Sequence, residues 1–358
     1  MSAAAIAPDL TPEPAPSRAL LPGDAHKQRV QNSPQFRNGK FRNSIPTPML
    51  VGASPLKITV EFVAKSSAHR RPPRPVPVAQ VDLARLATPG DVRATWLGHS
   101  TTLLEVDGLR VLTDPVWGMR ASPMSFAGPK RFHDVPIALD ALPRLDAILL
   151  THNHYDHACA ESLRWLAKNS ALPIITALGV GPMLESFGWA PERITELDWW
   201  QSTRLPGHEV TIVATPARHF SGRGVLDRNR TLWTSFSLIG PHHRLFFSGD
   251  SGPSPEFEKI GELLGPFDLT LFEVGAHHPA WGTVHLGPDE ALRAHQQVRG
   301  KAFLPIHWCT FDLGLHPWVE PIARLAEVAP QQQIRLLTPR PGQTAAPGDA
   351  FDTAWWTG

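Results

Sequence analysis

The run HNHYDH, residues 152–157, puts three histidines and an aspartate within six positions. A packed core has no use for such a crowd, and a solvated face would carry Lys and Glu instead. Imidazole nitrogens and carboxylate oxygens are the donors that zinc-type cations take, so the run points to a metal. It follows LDAILLT, residues 145–151, an apolar stretch that reads as a buried strand delivering ligands from its C-terminal end. Alternate residues leaving a strand point the same way, so His152 and His154 can converge on one ion. Asp156 and His157 lie just beyond, where a turn can aim them at a second ion.

The rest of the chain repeats this texture. Apolar strands such as VRATWLG, LPIITAL, RLFFSGD, FDLTLFEV and KAFLPIHW alternate with helical patterns such as ACAESLRWLAKN, SPEFEKIGELLG and GPDEALRAHQQV. Histidines or acids recur where strands end. Two β-rich halves of similar size imply two mixed sheets packed face to face, with helices outside. Residues 1–37, rich in Ala and Pro, read as a disordered tail. Residues 38–91 form an N-terminal extension in which Pro55–Lys65 reads as a strand, with a short helix the alternative, and Arg70–Pro77 as a Pro-rich linker. Residues 92–358 form the main domain.

Bulk composition excludes several classes. Lys and Arg total 34 against 33 Asp and Glu, so overall charge argues neither for nor against nucleic acid, and no nucleic-acid partner is expected. Two cysteines, Cys159 and Cys309, cannot make a disulfide framework. No apolar stretch is long enough to span a bilayer, and the N-terminus lacks a signal peptide's basic region, so the expected setting is the cytoplasm. Peripheral contact with a membrane face and homodimer formation are both left open.

The histidine run resembles the metal signature of the metallo-β-lactamase fold, an αβ/βα four-layer sandwich. In that fold the signature is followed by a lone His, a lone Asp and a last His. His219 in TPARHFSG, Asp250 in FFSGDSG and His307 in LPIHWCTF stand in that order. The resemblance implies one ion on His152, His154 and His219, a second on Asp156, His157 and His307, and Asp250 between them. It implies two zinc ions per chain, although iron or manganese would suit the same donors. His99, in WLGHST, matches a family position and reads as a buried orienting residue.

Further strings narrow the resemblance. ATWLGHSTTLLEVDGLRVLTDPVW, GPKRF, LDWW, GPFDL and IHWCTF are similar to the N-acyl-phosphatidylethanolamine-hydrolysing phospholipase D family. The likeness runs from Asn38 to the C-terminal strand. It implies hydrolysis of N-acyl-phosphatidylethanolamine, or a similar phospholipid or small phosphoester, to an N-acylethanolamine and phosphatidic acid, by a hydroxide bridging the two ions. Asp156, Asp250 and His285, the last in TVHLGPDEAL, are the residues it implies to be catalytic. A lactonase or another small-molecule hydrolase, of the ascorbate-6-phosphate lactonase-like branch, is the alternative. The basic loop Arg218–Arg230 could grip phosphate through Arg218, Arg223 and Arg230, with Lys130 a similar case.

Overall fold

Buried strands in this chain are runs of β-branched, leucine and aromatic residues, and each stops where a polar or glycine-containing turn begins. The computed structural model describes residues 18, 23–48, 69–224, 226–278, 283–353 and 355–357. In chain order the elements are α1 (Gly23–Asn32), β1 (Phe36–Arg37), β2 (Lys40–Phe41), β3 (Val92–Gly98), β4 (Thr101–Val106), β5 (Leu109–Thr113) and β6 (Ala147–Leu150). Next come α2 (Ala160–Asn169), β7 (Ile174–Ala177), α3 (Gly181–Ser186), β8 (Ile194–Leu197), β9 (Ser202–Arg204), β10 (Thr211–Thr215), β11 (Ser235–Ile239) and β12 (Arg244–Phe247). The last are α4 (Glu256–Leu264), β13 (Phe267–Glu273), α5 (Gly287–Gln297), β14 (Gly300–Ile306), α6 (Glu320–Val328), β15 (Arg335–Leu336) and β16 (Thr344–Ala345).

The strands form two seven-stranded sheets, ordered β16-β3-β4-β5-β6-β7-β8 and β15-β14-β13-β12-β11-β10-β9, beside the β1-β2 hairpin. Both are mixed. Antiparallel pairing joins β3 to β5 and β9 to β12, and parallel pairing joins β5 to β8 and β12 to β15. Asp107 and Gly108 make the tight turn between β4 and β5, both with positive φ, as the Asp-Gly pair predicts.

Strand alternation divides the apolar residues between two cores. Leu104, Val111 and Leu149 face the other sheet and meet Ile212, Phe236 and Leu271 there. Their neighbours Leu103, Leu112 and Ile148 face outward and bury Leu163 and Leu166 of α2 with Leu184 of α3. Each such leucine contributes about 1.5–3 kcal/mol by leaving water. On the outer face of the second sheet, Phe257 of α4 meets Phe246 and Phe272 edge-on. Helices therefore cover both outer faces, as the sequence pattern implied.

Two differences from the sequence reading have physical causes. Residues 23–32 lie within the expected disordered tail yet form α1. The helix is held by tertiary ties: His26 Nε2 meets Glu196 Oε2 at 2.6 Å, and Arg29 donates to Glu196 O and Gln201 Oε1. The short strands β9 and β16, two or three residues each, carry too little pattern to read. The strand expected at Pro55–Lys65 lies outside the described residues, while Arg70–Pro77 contains no helix or strand. Among the described residues, no helix is long and apolar enough to cross a membrane.

Candidate metal centre

Strands from both sheets end at the same edge of the sandwich, and the polar residues follow there. Asp114 leaves β5, the histidine run leaves β6, His219 follows β10 and Asp250 follows β12. Glu273 ends β13 and His307 leaves β14. The C-terminal ends of strands in layered α/β folds are where ligands bind, because loops there converge without breaking the sheet. Backbone conformation marks the same edge. His99, Asp114 and His307 all have positive φ, at 53°, 36° and 64°. Non-glycine residues adopt this region at a cost of order 1–3 kcal/mol, so tertiary contacts must hold them. Gly249, before Asp250, has φ +55°, and a Cβ there would come within 2.7 Å of Thr151.

All seven expected ligands come together at this edge, and Asp250 organises them into two sets. Its Oδ2 lies 3.9 Å from His152 Nε2 and 3.6 Å from His219 Nε2. His154 Nδ1 completes this set, 2.9 Å from His152 Nε2 and 3.3 Å from His219 Nε2. The other oxygen, Oδ1, lies 3.1 Å from His157 Nε2 and 3.2 Å from His307 Nε2. Asp156 Oδ2 completes the second set, 3.5 Å from His157 Nε2 and 3.3 Å from His307 Nε2. Donors around one tetrahedral ion at a bond length near 2.0–2.1 Å stand about 3.3 Å apart, so these spacings fit metal ligation.

Hydrogen bonding gives an independent test of fit. His157 Nε2, His307 Nε2 and Asp250 Oδ1 are buried without a hydrogen-bond partner. Orphaned buried polar atoms are rare because each costs free energy comparable to a lost hydrogen bond. Here all three aim at one point, as ligands for a cation would.

The charge balance agrees. Burial lowers His152, His154 and His219, His154 to about 4, so these imidazoles are neutral and ready to donate a lone pair. Burial also disfavours charge on His157 and His307, yet nearby carboxylates, Asp250 foremost, outweigh it and push His307 up to about 10. Asp156 and Asp250, against their own burial, are held well below the usual carboxylate range by the histidines. The second set thus attracts positive charge strongly, and a divalent cation would displace its protons.

A ring of further residues aims the donors. Asp114 Oδ2 accepts from His157 Nδ1 and from Thr151 Oγ1, both at 2.8 Å. Thr151 Oγ1 in turn lies 3.0 Å from His152 Nδ1. One buried carboxylate therefore fixes a ring in each set, with Nε2 left to coordinate. His219 Nδ1 donates to Val284 O. His99 Nε2 lies 3.1 Å from Asp156 Oδ2. Burial, then the neighbouring His307, lowers His99 to about 3, so it is neutral and positioned to orient Asp156 or to act as an added donor.

His285 stands beside both sets, its ring 5.1 Å from that of His219 and 5.5 Å from that of His307. Its Nδ1 meets Glu273 Oε2 at 2.7 Å. Burial opposes charge on the ring, but the Glu273 carboxylate more than offsets it and raises the pKa. Glu273 is itself fixed by the backbone N–H groups of Ser251 and Leu286. Asp114 and Glu273 escaped the sequence reading. Each is a lone acid at a strand end, and only the likeness of LTDPVW to the family string hinted at Asp114.

The basic rim departs from expectation. Arg218, expected at a substrate phosphate, is buried and donates to Thr47 Oγ1, Pro253 O and Pro46 O. Arg223 lies over the Tyr155 ring at 3.8 Å and donates to Asn153 O and Ala158 O. Both guanidiniums are committed to protein atoms. Counting charge in a loop cannot reveal carbonyl partners contributed from elsewhere. Arg230 and Lys130 are exposed.

The β-lactamase superfamily domain profile matches residues 109–308. An uncharacterized protein of Mycobacterium tuberculosis (strain H37Rv) is 44% identical over 94% of this chain and 92% of its own length. The N-acyl-phosphatidylethanolamine-hydrolyzing phospholipase D 1 of Caenorhabditis elegans is 36% identical over 82% of this chain and 87% of its own. Igni18, a metallo hydrolase of Ignicoccus hospitalis, superposes with a TM-score of 0.54 at 21% identity, covering 73% of this chain and 99% of that one. This last likeness speaks to the fold alone.

Proposed function

The chain belongs to the β-lactamase superfamily of metal-dependent hydrolases, and from that premise we propose that it is a dinuclear phosphodiesterase of the phospholipase D type. Its substrate would be N-acyl-phosphatidylethanolamine or a similar phospholipid. The observation that carries this reading is the division of donors around Asp250, one carboxylate oxygen facing each set. His152, His154 and His219 would hold one ion, Asp156, His157 and His307 the other, and Asp250 both, with zinc, iron or manganese all compatible. Such ions, when bound, lower the pKa of water toward neutrality and neutralise charge on phosphoryl oxygens.

The remaining work falls to the chain's own groups. Asp114 and Thr151 hold two ligand rings in one tautomer, so no reorganisation is needed as charge develops. Glu273 grips His285 through Nδ1, leaving Nε2 to give a proton to the departing alkoxide. A general acid so placed stabilises the leaving group as the P–O bond breaks.

Lipid as substrate has its own support. A cavity of about 580 Å³ opens beside Tyr155, between two ligand residues, lined by Met119, Met124 and Phe187 with Arg120, Arg164 and Arg223. The apolar side chains suit an acyl chain, and Arg164 at the wall would meet a phosphate, since Arg120 and Arg223 are committed to backbone carbonyls. Phe126, 78% exposed, and Leu226, 89% exposed, stand on the loops nearby and would meet a bilayer surface. Peripheral membrane contact is part of this proposal.

Labelled N-acyl-phosphatidylethanolamine in mixed micelles tests it. Chromatography should yield labelled N-acylethanolamine and phosphatidic acid in equal amounts. Untouched lipid, with lactones opened instead, would replace this reading by the lactonase one.

A further inference from the structure

Outside the seven ligands, a second cluster of donors lies behind the loop that follows β13. His277, His316 and Glu320 each offer a ligand atom, and these atoms lie within 4.8 Å of one another. Glu320 Oε2 is 3.4 Å from His277 Nε2 and 3.8 Å from His316 Nδ1. The two rings stack at 4.5 Å with planes 16° apart.

Hydrogen bonding leaves this cluster unfinished. His277 Nδ1, His316 Nε2 and Glu320 Oε2 are buried atoms without hydrogen-bond partners. His316 Nδ1 meets Pro317 O at 2.9 Å, which fixes the ring. Arg324, one turn beyond Glu320 on α6, is committed to Asp289 and Glu327 and does not neutralise the carboxylate by contact. Glu320, whose side chain is 41% exposed, turns its buried Oε2 toward both imidazoles, so a carboxylate and two rings lie within reach of one cation.

We propose that His277, His316 and Glu320 form a separate mononuclear site for a divalent transition-metal ion of the zinc class. Two imidazoles and a carboxylate are a familiar ligand set for such ions, with water able to complete the shell. The site is structural. It ties His277, in the segment after Glu273, to the start of α6. It is independent of the phosphodiesterase reading, since none of its residues belongs to the seven-ligand centre.

The test is zinc content of the full chain, stripped with chelator, reloaded with Zn²⁺ and passed through gel filtration. His277→Ala with Glu320→Gln should carry about one equivalent less than the parent, as loss of one site requires. Glu320→Gln alone, nearly isosteric, should show the same direction with an unchanged melting curve in chelator. A chain with His152→Ala, His157→Ala and Asp250→Asn, which leaves at most two donors in either set of the main centre, should still retain about one equivalent. Equal zinc in the parent and the cluster variants, or no zinc in the chain lacking the main centre, would overturn the proposal.

Discussion

The metal-facing edge and the arginine loop beside it are both dense in ionisable groups, yet they are built in opposite ways. At the edge, His157 Nε2, His307 Nε2 and Asp250 Oδ1 are buried and face one another without hydrogen-bond geometry. In the loop, the guanidiniums of Arg218 and Arg223 are satisfied by carbonyls and a hydroxyl. Folding does not by itself produce the first arrangement, because unpaired buried polar atoms are destabilising. It readily produces the second. Chemistry is therefore assigned by what side chains leave unsatisfied, and charge density alone is a poor guide.

The largest test of this contrast removes a donor from each set. Asp156→Asn and His307→Ala should each lower bound metal and take turnover below detection, measured by elemental analysis beside the lipid assay. Full activity in both would erase the distinction between edge and loop. His285→Ala comes next. Metal content should stay at the parental level while kcat drops about 10²–10⁴-fold, the usual worth of a positioned acid or base. Loss of metal instead would make His285 a ligand.

Asp114→Asn probes the layer behind the donors. With its charge gone, the His157 and Thr151 contacts weaken, and metal affinity or activity should fall about 10–100-fold. A smaller effect is expected from Arg218→Ala. Urea unfolding should show a loss of roughly 1–3 kcal/mol from the buried carbonyls left unpaired, with KM unchanged. A raised KM at parental stability would return Arg218 to the substrate. Arg230→Ala, at the exposed end of the loop, should shift stability by no more than about 0.5 kcal/mol.

The same contrast explains what the sequence made legible. The HNHYDH run was readable because four donors sit within one turn, so local spacing carries the message. His219, Asp250 and His307 are isolated, and only the order of a family signature singled them out. Asp114 and Glu273 had neither local company nor a signature role, because their work depends on meeting His157 and His285 in space. The sheet sandwich was legible from alternating apolar strands and following helices. Helix α1 was not, since a polar segment acquires order only through Glu196 and Gln201, more than 160 residues away.

Anomalous diffraction from metal-loaded crystals is the most direct measurement of the central claim. Two peaks should flank Asp250, one among His152, His154 and His219, the other among Asp156, His157 and His307. A single peak, or none, between those side chains would contradict it.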